Sequence, residues 1–463
     1  MTMETTAPLT PKENKSLGHV QREMTPRGAL ATLSERPADY DPVARLLWQG
    51  EDRRADLLSL RYTRMLANPF SFYRGNALLM AEDLARGPNT SLEVQICGDA
   101  HLANFNLFSS PERHLVFDVN DFDETDQGPF EWDLKRLVAS LAVASLHLGH
   151  SEVQQRRIAH AAAREYRLSI RRFAGEDRLA TWYATLDIDA VVADLGGFFT
   201  ENAIHRIDHV VAYANGRDTR KAFAKLIVDG KNGPRIVNRP PLLVPLDDLH
   251  ENGYLTTSDV ERLITGYART LTSDRQVLLA QFTPVDVARK VVGVGSVGTE
   301  CYVLLLLGRD ESDPFFLQVK QAGASVIATA TSRESTMPAG ERVVQGQRLM
   351  QATPDVFLGW HSVKKDDSKR HYYVRQLYDN KASIAIDRLD ESLLVTYGRI
   401  CAWTLARAHA RGGHGGAIAG YLGKSDVADE AFATFAMYYR DRTLSDFAAL
   451  QSAAKEGRIT LAS

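Results

Sequence analysis

Cysteine, net charge and long apolar runs are all scarce in this chain, and each absence narrows what the protein can be. Three cysteines in 463 residues, Cys97, Cys301 and Cys401, are too few for a disulfide framework. A formal net charge of −3 provides no basic excess for nucleic acid, and no run of eighteen apolar residues supports a membrane span. We therefore expect a cytoplasmic protein with neither nucleic acid nor a membrane as its partner.

The amino terminus also lacks the apolar core of a signal peptide. Its first twenty residues, MTMETTAPLTPKENKSLGHV, are rich in Thr, Pro, Lys and Glu, a composition typical of disordered segments. Residues 1–28 are therefore predicted to be a disordered tail. Elsewhere, hydrophobic residues make up 44% of the composition, which is enough to bury large cores.

The most informative motif is CGDAHLANF, in which Asp99 lies five positions before Asn104 and an acidic cluster, NDFDE, follows. Phosphoryl transfer needs a carboxylate that accepts the proton of the attacking hydroxyl. It also needs an amide oxygen and a further carboxylate to hold Mg²⁺. The motif predicts Asp99 as the base and Asn104, Asp121 and Asp123 as metal ligands. A surface loop rich in Asp, Asn and His remains the alternative.

The flanking residues place this motif next to the acidic cluster. Leu92, Val94 and Ile96 alternate with polar residues, as in a half-buried strand. Residues 105–108 and 114–119 flank a turn, as in a hairpin. The hairpin is expected to bring the acidic cluster back toward Asp99 in the predicted catalytic loop, residues 97–105.

A resemblance extends this hypothesis. The segment DFDETDQGPFEWDLKRL, in which Asp121 lies twelve positions before Asp133, resembles the metal-binding segment of the aminoglycoside phosphotransferase and choline kinase group. His101 matches the second histidine of their His-Gly-Asp-x-His-x-x-Asn loop, whereas Cys97 stands at the first histidine. The resemblance implies that Asp121 binds the metal and that Asp133 braces the catalytic loop.

A glycine-rich segment later in the chain suggests where nucleotide phosphates bind. Gly293, Gly295, Ser296 and Gly298 lie in GVGSVG, and Lys320 ends the strand-like FFLQVK. A dinucleotide-binding turn opens a helix, but here an apolar, partly β-branched run follows. Strand, glycine turn, strand, turn, strand and lysine is the order of a kinase nucleotide lobe. The turn would cradle the phosphates of ATP through its backbone N–H groups, and Lys320 would contact the α- and β-phosphates.

Helical spacing over residues 340–350 predicts a helix whose Glu341 pairs with Lys320. The alternative is a solvated acid, since helix N-termini favour acidic residues. Residues 355–360 and 372–377 are then expected to be strands, and residues 379–383 a hinge.

Residues 391–411 form a predicted helix that ends in LARAHARGG. In the phosphotransferase group a similar helix leads directly into the catalytic loop. Here no second catalytic loop follows, and the matching loop comes far earlier. We therefore predict an α+β, two-lobed protein-kinase-like fold that is circularly permuted, with a helix-rich large lobe.

Taken together, GDAHLANFNLF, WDLKRLVASL, GVGSVGTECY, QVKQA, GQRLMQ and LARAHARGG are similar to the bacterial domain-of-unknown-function 2252 family, from about Ala38 to the C-terminus. The predicted segments are a large-lobe segment over residues 29–285, a nucleotide-binding small lobe over 286–380, and returning large-lobe helices over 381–463. The helices within residues 150–285 are expected to line the acceptor pocket.

The predicted activity is ATP-dependent, Mg²⁺-assisted phosphoryl transfer to a hydroxyl or amine of a small-molecule acceptor. Two alternatives stay open. A metal-dependent phosphohydrolase would use Asp99, His101, Asp121 and Asp123 as metal ligands, and a kinase-like nucleotide sensor or adenylyltransferase would bind ATP without transferring its γ-phosphate.

Three arginines near the amino terminus, Arg61, Arg64 and Arg74, either attract phosphate or stack on aromatic rings. The sequence motifs do not indicate an oligomeric state.

Overall fold

The computed structural model describes residues 9–186, 225–230, 233–249, 253–365, 367–377 and 384–462. The predicted hinge at residues 379–383 lies outside these ranges, as does a large part of the predicted acceptor region. The described secondary structure mixes helices with antiparallel strands, so the α+β class is confirmed.

The helices in the first half of the chain are α1 (Pro11–Met24), α2 (Pro42–Glu51), α3 (Ala55–Met65), α4 (Pro69–Gly75), α5 (Ala77–Ala85), α6 (Phe130–His147), α7 (Glu152–Phe173) and α8 (Arg178–Tyr183). Those in the second half are α9 (Thr257–Ala268), α10 (Ser273–Leu279), α11 (Val326–Thr331), α12 (Ala339–Met350), α13 (Glu391–His409), α14 (Gly415–Leu422) and α15 (Val427–Lys455). Of these helices, none is both long and apolar enough to cross a bilayer.

The strands are β1 (Glu93–Ile96), β2 (Phe105–Ser109), β3 (Leu115–Val119), β4 (Asp126–Pro129), β5 (Ile227–Gly230), β6 (Gly233–Ile236), β7 (Leu243–Pro245), β8 (Thr283–Lys290), β9 (Cys301–Leu307), β10 (Pro314–Ala322), β11 (Gly359–Lys365) and β12 (Ser368–Gln376). Six of them form one antiparallel sheet in the order β11-β12-β10-β9-β8-β7. The others pair as β1 with β4, β2 with β3, and β5 with β6.

The six-stranded sheet is buried on both faces at its centre. In β9, Tyr302 and Leu304 pack into a core shared with α9, while Val303 and Leu305 face a second core with Ile236. Burial on both faces explains why β9 is a continuous apolar run rather than an alternating one. Lys320 lies near the end of β10, where the register pairs it with residues of β9 and β12.

A second, larger core surrounds β1, β2 and β3 with helices. Helix α6 is buried on nearly all sides, from Phe130 to Ser145, because α7, α13 and α15 pack around it. The predicted hairpin is confirmed as β2 and β3, and the predicted strand before the catalytic loop as β1. This core supports one side of the candidate site, and the sheet supports the other.

The prediction of a disordered tail is wrong for the described part of residues 1–28. Helix α1 starts with a capping box between Thr10 and Glu13. It packs closely against α14, where a Cβ on Gly18 would overlap the carbonyl of Ala417. Arg22 also donates hydrogen bonds to carbonyl groups of α14. The docking partner is distant in sequence, which is why composition alone misidentified this segment.

Two predicted boundaries also need correction. The small lobe was predicted to begin at residue 286, but β7 pairs with β8, and α9 buries Leu263 and Tyr267 against the sheet. Residues from β7 onward therefore belong with the sheet. The strand predicted over residues 355–360 starts only at Gly359, because the Asp355 carboxylate accepts the N–H of Phe357, 2.9 Å away, in the preceding turn.

Candidate active site

The predicted catalytic loop leaves β1 in a tight turn at Gly98. This residue has φ +77°, and a Cβ there would overlap the backbone carbonyl of Glu124. Glycine is needed for both reasons, since it adopts positive φ without penalty and lets two backbones meet. The turn places the loop that carries Asp99 directly against the acidic loop of residues 120–124.

Asp133 braces this turn from the first turn of α6. Its Oδ2 accepts the N–H of Cys97 at 2.8 Å, and its Oδ1 accepts the N–H of Gly98 at 2.9 Å. His409 Nε2, at the end of α13, lies 3.2 Å from the same carboxylate. Asp133 and His409 are both fully buried. The bracing contact expected of Asp133 is therefore present.

Asp99 is held by Arg136, whose Nε donates to Oδ1 at 2.8 Å. Arg136 also stacks over the ring of Tyr73, which fixes its position. Burial raises the pKa of Asp99, and the Arg136 guanidinium opposes that rise. The carboxylate is thus oriented while it keeps more proton affinity than a solvated aspartate, as a general base requires.

His101 and Asn104 complete the catalytic loop. His101 Nε2 lies 3.7 Å from Asp99 Oδ2. Burial, together with Arg74 and Arg136, lowers the pKa of His101 well below its usual value, so the imidazole is neutral at physiological pH. Asn104 Nδ2 donates to the backbone carbonyl of Asp99 at 2.8 Å. The side-chain amide oxygen of Asn104 is therefore a candidate ligand for a metal ion.

Lys320 joins the two halves of the chain at the acidic loop. Its Nζ lies 2.6 Å from Asp123 Oδ2 and 3.5 Å from Asp121 Oδ1. The hydroxyl of Tyr373, on β12, donates to Asp123 Oδ1 at 2.6 Å. Burial alone would raise the pKa of Asp123, but the charge and hydrogen bond of Lys320 hold it below its usual value. Lys320 and Asp121, 199 positions apart in sequence, are therefore neighbours in the structure.

The glycine turn between β8 and β9 lies against the same loop. Ser296 Oγ donates to Asp123 Oδ2 at 3.3 Å. Arg53, between α2 and α3, donates to the carbonyls of Gly295 at 2.9 Å and Val297 at 2.6 Å. Gly298 has φ +91°, and its carbonyl accepts the N–H of Arg54. The amino-terminal helices therefore hold this turn over the acidic loop.

The predicted pair between Glu341 and Lys320 is not formed. Glu341 instead accepts a hydrogen bond from Gln345, one turn along α12. The neighbouring Arg342 faces the site, where it donates to the carbonyls of Asp123, Thr125 and Gly323. Successive helical residues are rotated by about 100°. Since Arg342 is on the buried face, Glu341 points away from Lys320, in agreement with the alternative of a helix-start acid.

Glu124 also lines the cleft, although the sequence motif NDFDE gives this residue no role of its own. Burial raises its pKa to about 7, against the effect of a hydrogen bond from the N–H of Val326 at 2.7 Å. Arg53 and Arg136 were missed as well. The i, i+3 spacing of Asp133 and Arg136 on a helix, which puts both on one face, was the available signal for Arg136.

A cleft of about 490 Å³ brings most of the predicted residues together. The catalytic and acidic loops contribute Asp99, His101, Asn104, Asp121, Asp123 and Glu124 to its lining. The glycine turn contributes Gly293, Val294, Gly295 and Ser296. The cleft size matches that of small-molecule sites. Asp133 and Lys320 support the lining residues from within the protein.

The oxygen atoms in the cleft suit Mg²⁺ better than a metal held by protein alone. Mg²⁺ prefers oxygen ligands and is commonly bound by one or two carboxylates together with substrate phosphates. Asn104 and Asp121 supply an amide oxygen and a carboxylate, whereas Asp123 already accepts from three side chains. Within the described ranges, no three His, Cys, Asp or Glu side chains are grouped as a metal centre.

Comparisons with known proteins identify a family but no function. No curated protein and no solved structure matches the chain. A family model described as an uncharacterized protein conserved in bacteria, DUF2252, matches residues 53–453 and so covers the catalytic loop, the acidic loop, the glycine turn and Lys320. The chain therefore belongs to the DUF2252 family of uncharacterised bacterial proteins.

Proposed function

We propose that this protein is an ATP-dependent, Mg²⁺-assisted phosphotransferase that acts on a hydroxyl or amine of a small molecule. One observation carries the proposal: Lys320, on β10, forms its ion pairs with Asp123 and Asp121, nearly two hundred positions earlier in the chain. In protein kinases, a lysine on a strand after a glycine-rich turn likewise lies at one nucleotide site with an Asp and an Asn that hold Mg²⁺.

The topology supports a kinase-like, circularly permuted fold. The glycine turn joins β8 and β9, the lysine is on the neighbouring β10, and α12 and two further strands follow. The end of α13 lies beside β1, and His409 contacts the carboxylate that holds Cys97. An unpermuted chain would pass directly from α13 into the catalytic loop at this point.

The side chains of the cleft would divide the chemistry as follows. The proton of the acceptor hydroxyl would pass to the Asp99 carboxylate, which Arg136 holds in position. Asn104 and Asp121 would hold Mg²⁺, which supplies charge neutralisation on the phosphates when bound. The N–H groups of the glycine turn and the Lys320 ammonium would position the nucleotide. Catalysis of this kind rests on positioning and electrostatics.

Two other functions make different demands on the same residues. A phosphohydrolase would need Asp99, His101, Asp121 and Asp123 to converge on a metal. In the structure, however, Lys320 pairs with Asp121 and Asp123, and Arg136 pairs with Asp99. A nucleotide sensor would bind ATP at the same site but form no product. An adenylyltransferase would bind ATP there and transfer AMP to its acceptor.

Calorimetric titration of Mg²⁺·ATP tests the proposal. We expect binding to the wild-type protein that weakens at least tenfold in Lys320→Met and stays unchanged in Lys364→Met. Lys364 is a matched control because it lies on β11 of the same sheet with its side chain 75% exposed. Absence of binding at millimolar ATP would remove the main support for the proposal. Formation of ADP together with a phosphorylated acceptor favours phosphoryl transfer, and AMP transfer favours the adenylyltransferase.

A further inference from the structure

Arg74 occupies the cleft wall next to the proposed base without pairing with it. It lies in the last turn of α4 and lines the cleft together with Asp99, His101 and Asp121. Asp99 receives its hydrogen bond from Arg136, and Asp121 lies beside Lys320. Among the residues that the structure describes, Arg74 Nε is buried and has no hydrogen-bond partner. The Arg74 side chain thus shares the cleft wall with Asp99, and its buried Nε is unpaired among the described residues.

We propose that this wall is a subsite for an anionic group, a phosphate or a carboxylate, carried by the acceptor, and that Arg74 is its principal contact. The inference rests on the proposed phosphotransferase function, because it assumes that the acceptor approaches Asp99. It deepens that function by assigning a chemical class to the acceptor.

Other described residues in or beside the cleft also have buried nitrogen atoms without a hydrogen-bond partner. In the described part of the chain, buried nitrogen atoms without a hydrogen-bond partner include Nε and Nη1 of Arg61, Nδ2 of Asn76 and Nδ1 of His101. Arg61 is 1% exposed and Asn76 is fully buried. Asn76 Oδ1 accepts from Arg136, so its amide nitrogen is the side of the group that remains unpaired. Arg61 Nη2 donates to the carbonyl of Gly75, a cleft residue.

The chemistry of these atoms points to an acceptor of hydrogen bonds. Guanidinium and amide nitrogens only donate. Buried donors in native proteins nearly always have partners, and leaving one unmade costs about 1–3 kcal/mol. An oxyanion supplies several acceptor atoms together with the opposite charge, and planar guanidinium groups recognise phosphate and carboxylate with paired hydrogen bonds.

The position of Arg74 assigns the anion to the acceptor rather than to the nucleotide. Burial lowers the pKa of Arg74, while the charges of Asp99 and Asp121 act in the opposite direction. Arg74 also acts on His101, two residues after the base. The nucleotide phosphates have other candidate donors, in Lys320 and the glycine turn. A guanidinium next to the base therefore contacts the molecule whose hydroxyl meets that base.

The test is a calorimetric titration of inorganic phosphate into the protein, with and without Mg²⁺ and a non-hydrolysable ATP analogue. We expect phosphate to bind the wild-type protein in both states, at least tenfold more weakly in Arg74→Gln, with partial recovery in Arg74→Lys. Arg86→Gln removes a guanidinium that pairs with Asp83 outside the cleft and should leave phosphate affinity unchanged. A parallel titration of acetate separates the two sources, since binding of acetate as well as phosphate indicates a carboxylate-bearing acceptor.

Equal phosphate affinity in wild type and Arg74→Gln would overturn the subsite, and so would absence of both phosphate and acetate binding in wild type. These outcomes leave the phosphotransferase standing if the nucleotide analogue still binds. Conversely, Arg74-dependent phosphate binding in a protein that binds no nucleotide supports the anion site and removes the proposed function. Because the buried Nε of Arg74 makes no hydrogen bond among the described residues, Arg74→Gln breaks no hydrogen bond at that atom. Arg74→Lys preserves the charge if Arg74→Gln is unstable.

Discussion

Asp133→Asn should destabilise the protein strongly, because this buried carboxylate accepts two backbone N–H groups and contacts His409. Hydrogen bonds to charged groups contribute about 1.5–3 kcal/mol each. The asparagine keeps the shape and one acceptor oxygen, but its Nδ2 would face one of the two N–H donors. Losing one charge-assisted bond and burying a donor against a donor should together cost about 3–5 kcal/mol.

Urea unfolding followed by circular dichroism measures this cost, with the m-value checked for two-state behaviour. Glu93→Gln is the control, because Glu93 lies on the strand that leads into the same loop but pairs with Arg333 at the surface. Exposed pairs contribute about 0.2–1 kcal/mol. A loss below about 1 kcal/mol in Asp133→Asn, similar to that of the control, would refute the bracing role.

Three further predictions concern the core, the site and the amino terminus. Burial lowers the pKa of Lys135 to about 8 from its usual 10.5, so Lys135→Met should stabilise the protein by about 3 kcal/mol at pH 7. That gain should shrink as the pH rises from 8 to 10.5, where the unfolded chain still binds the proton and the folded one does not; a pH-independent gain in urea titrations would contradict it. Asp99→Asn should abolish turnover with nucleotide affinity intact, whereas Asp121→Asn should also weaken Mg²⁺-dependent nucleotide binding; equal losses of affinity in calorimetry would make Asp99 a metal ligand. Gly18→Val should release α1 from α14 and expose it to limited proteolysis, and an unchanged cleavage pattern would refute the close packing.

The parts of the site that were predictable have local signatures. The alternation before Cys97, the turn between β2 and β3, and the glycine-rich turn each depend on residues adjacent in sequence. The meeting of Lys320 with Asp121 was predictable only because each lies in a recognisable motif. A chemical requirement for both groups in one site linked them across the chain.

The errors arise where distant partners decide the structure. Helix α1 forms because Gly18 meets α14, whose residues lie some four hundred positions away, and nothing near Gly18 signals that contact. The orientation of α12 is another example. Glu341 and Arg342 are adjacent polar residues, and only the carbonyl groups that Arg342 meets determine which of them faces the site.

The central claim is that the two halves of the chain build one nucleotide site. The most direct measurement is a crystal structure of the full chain with Mg²⁺ and a non-hydrolysable ATP analogue. We predict phosphates between the glycine turn and the acidic loop, Mg²⁺ contacting Asn104 and Asp121, and Lys320 within hydrogen-bond reach of the phosphates. A metal held by Asp99 and His101, or a nucleotide bound away from Lys320, would contradict the account.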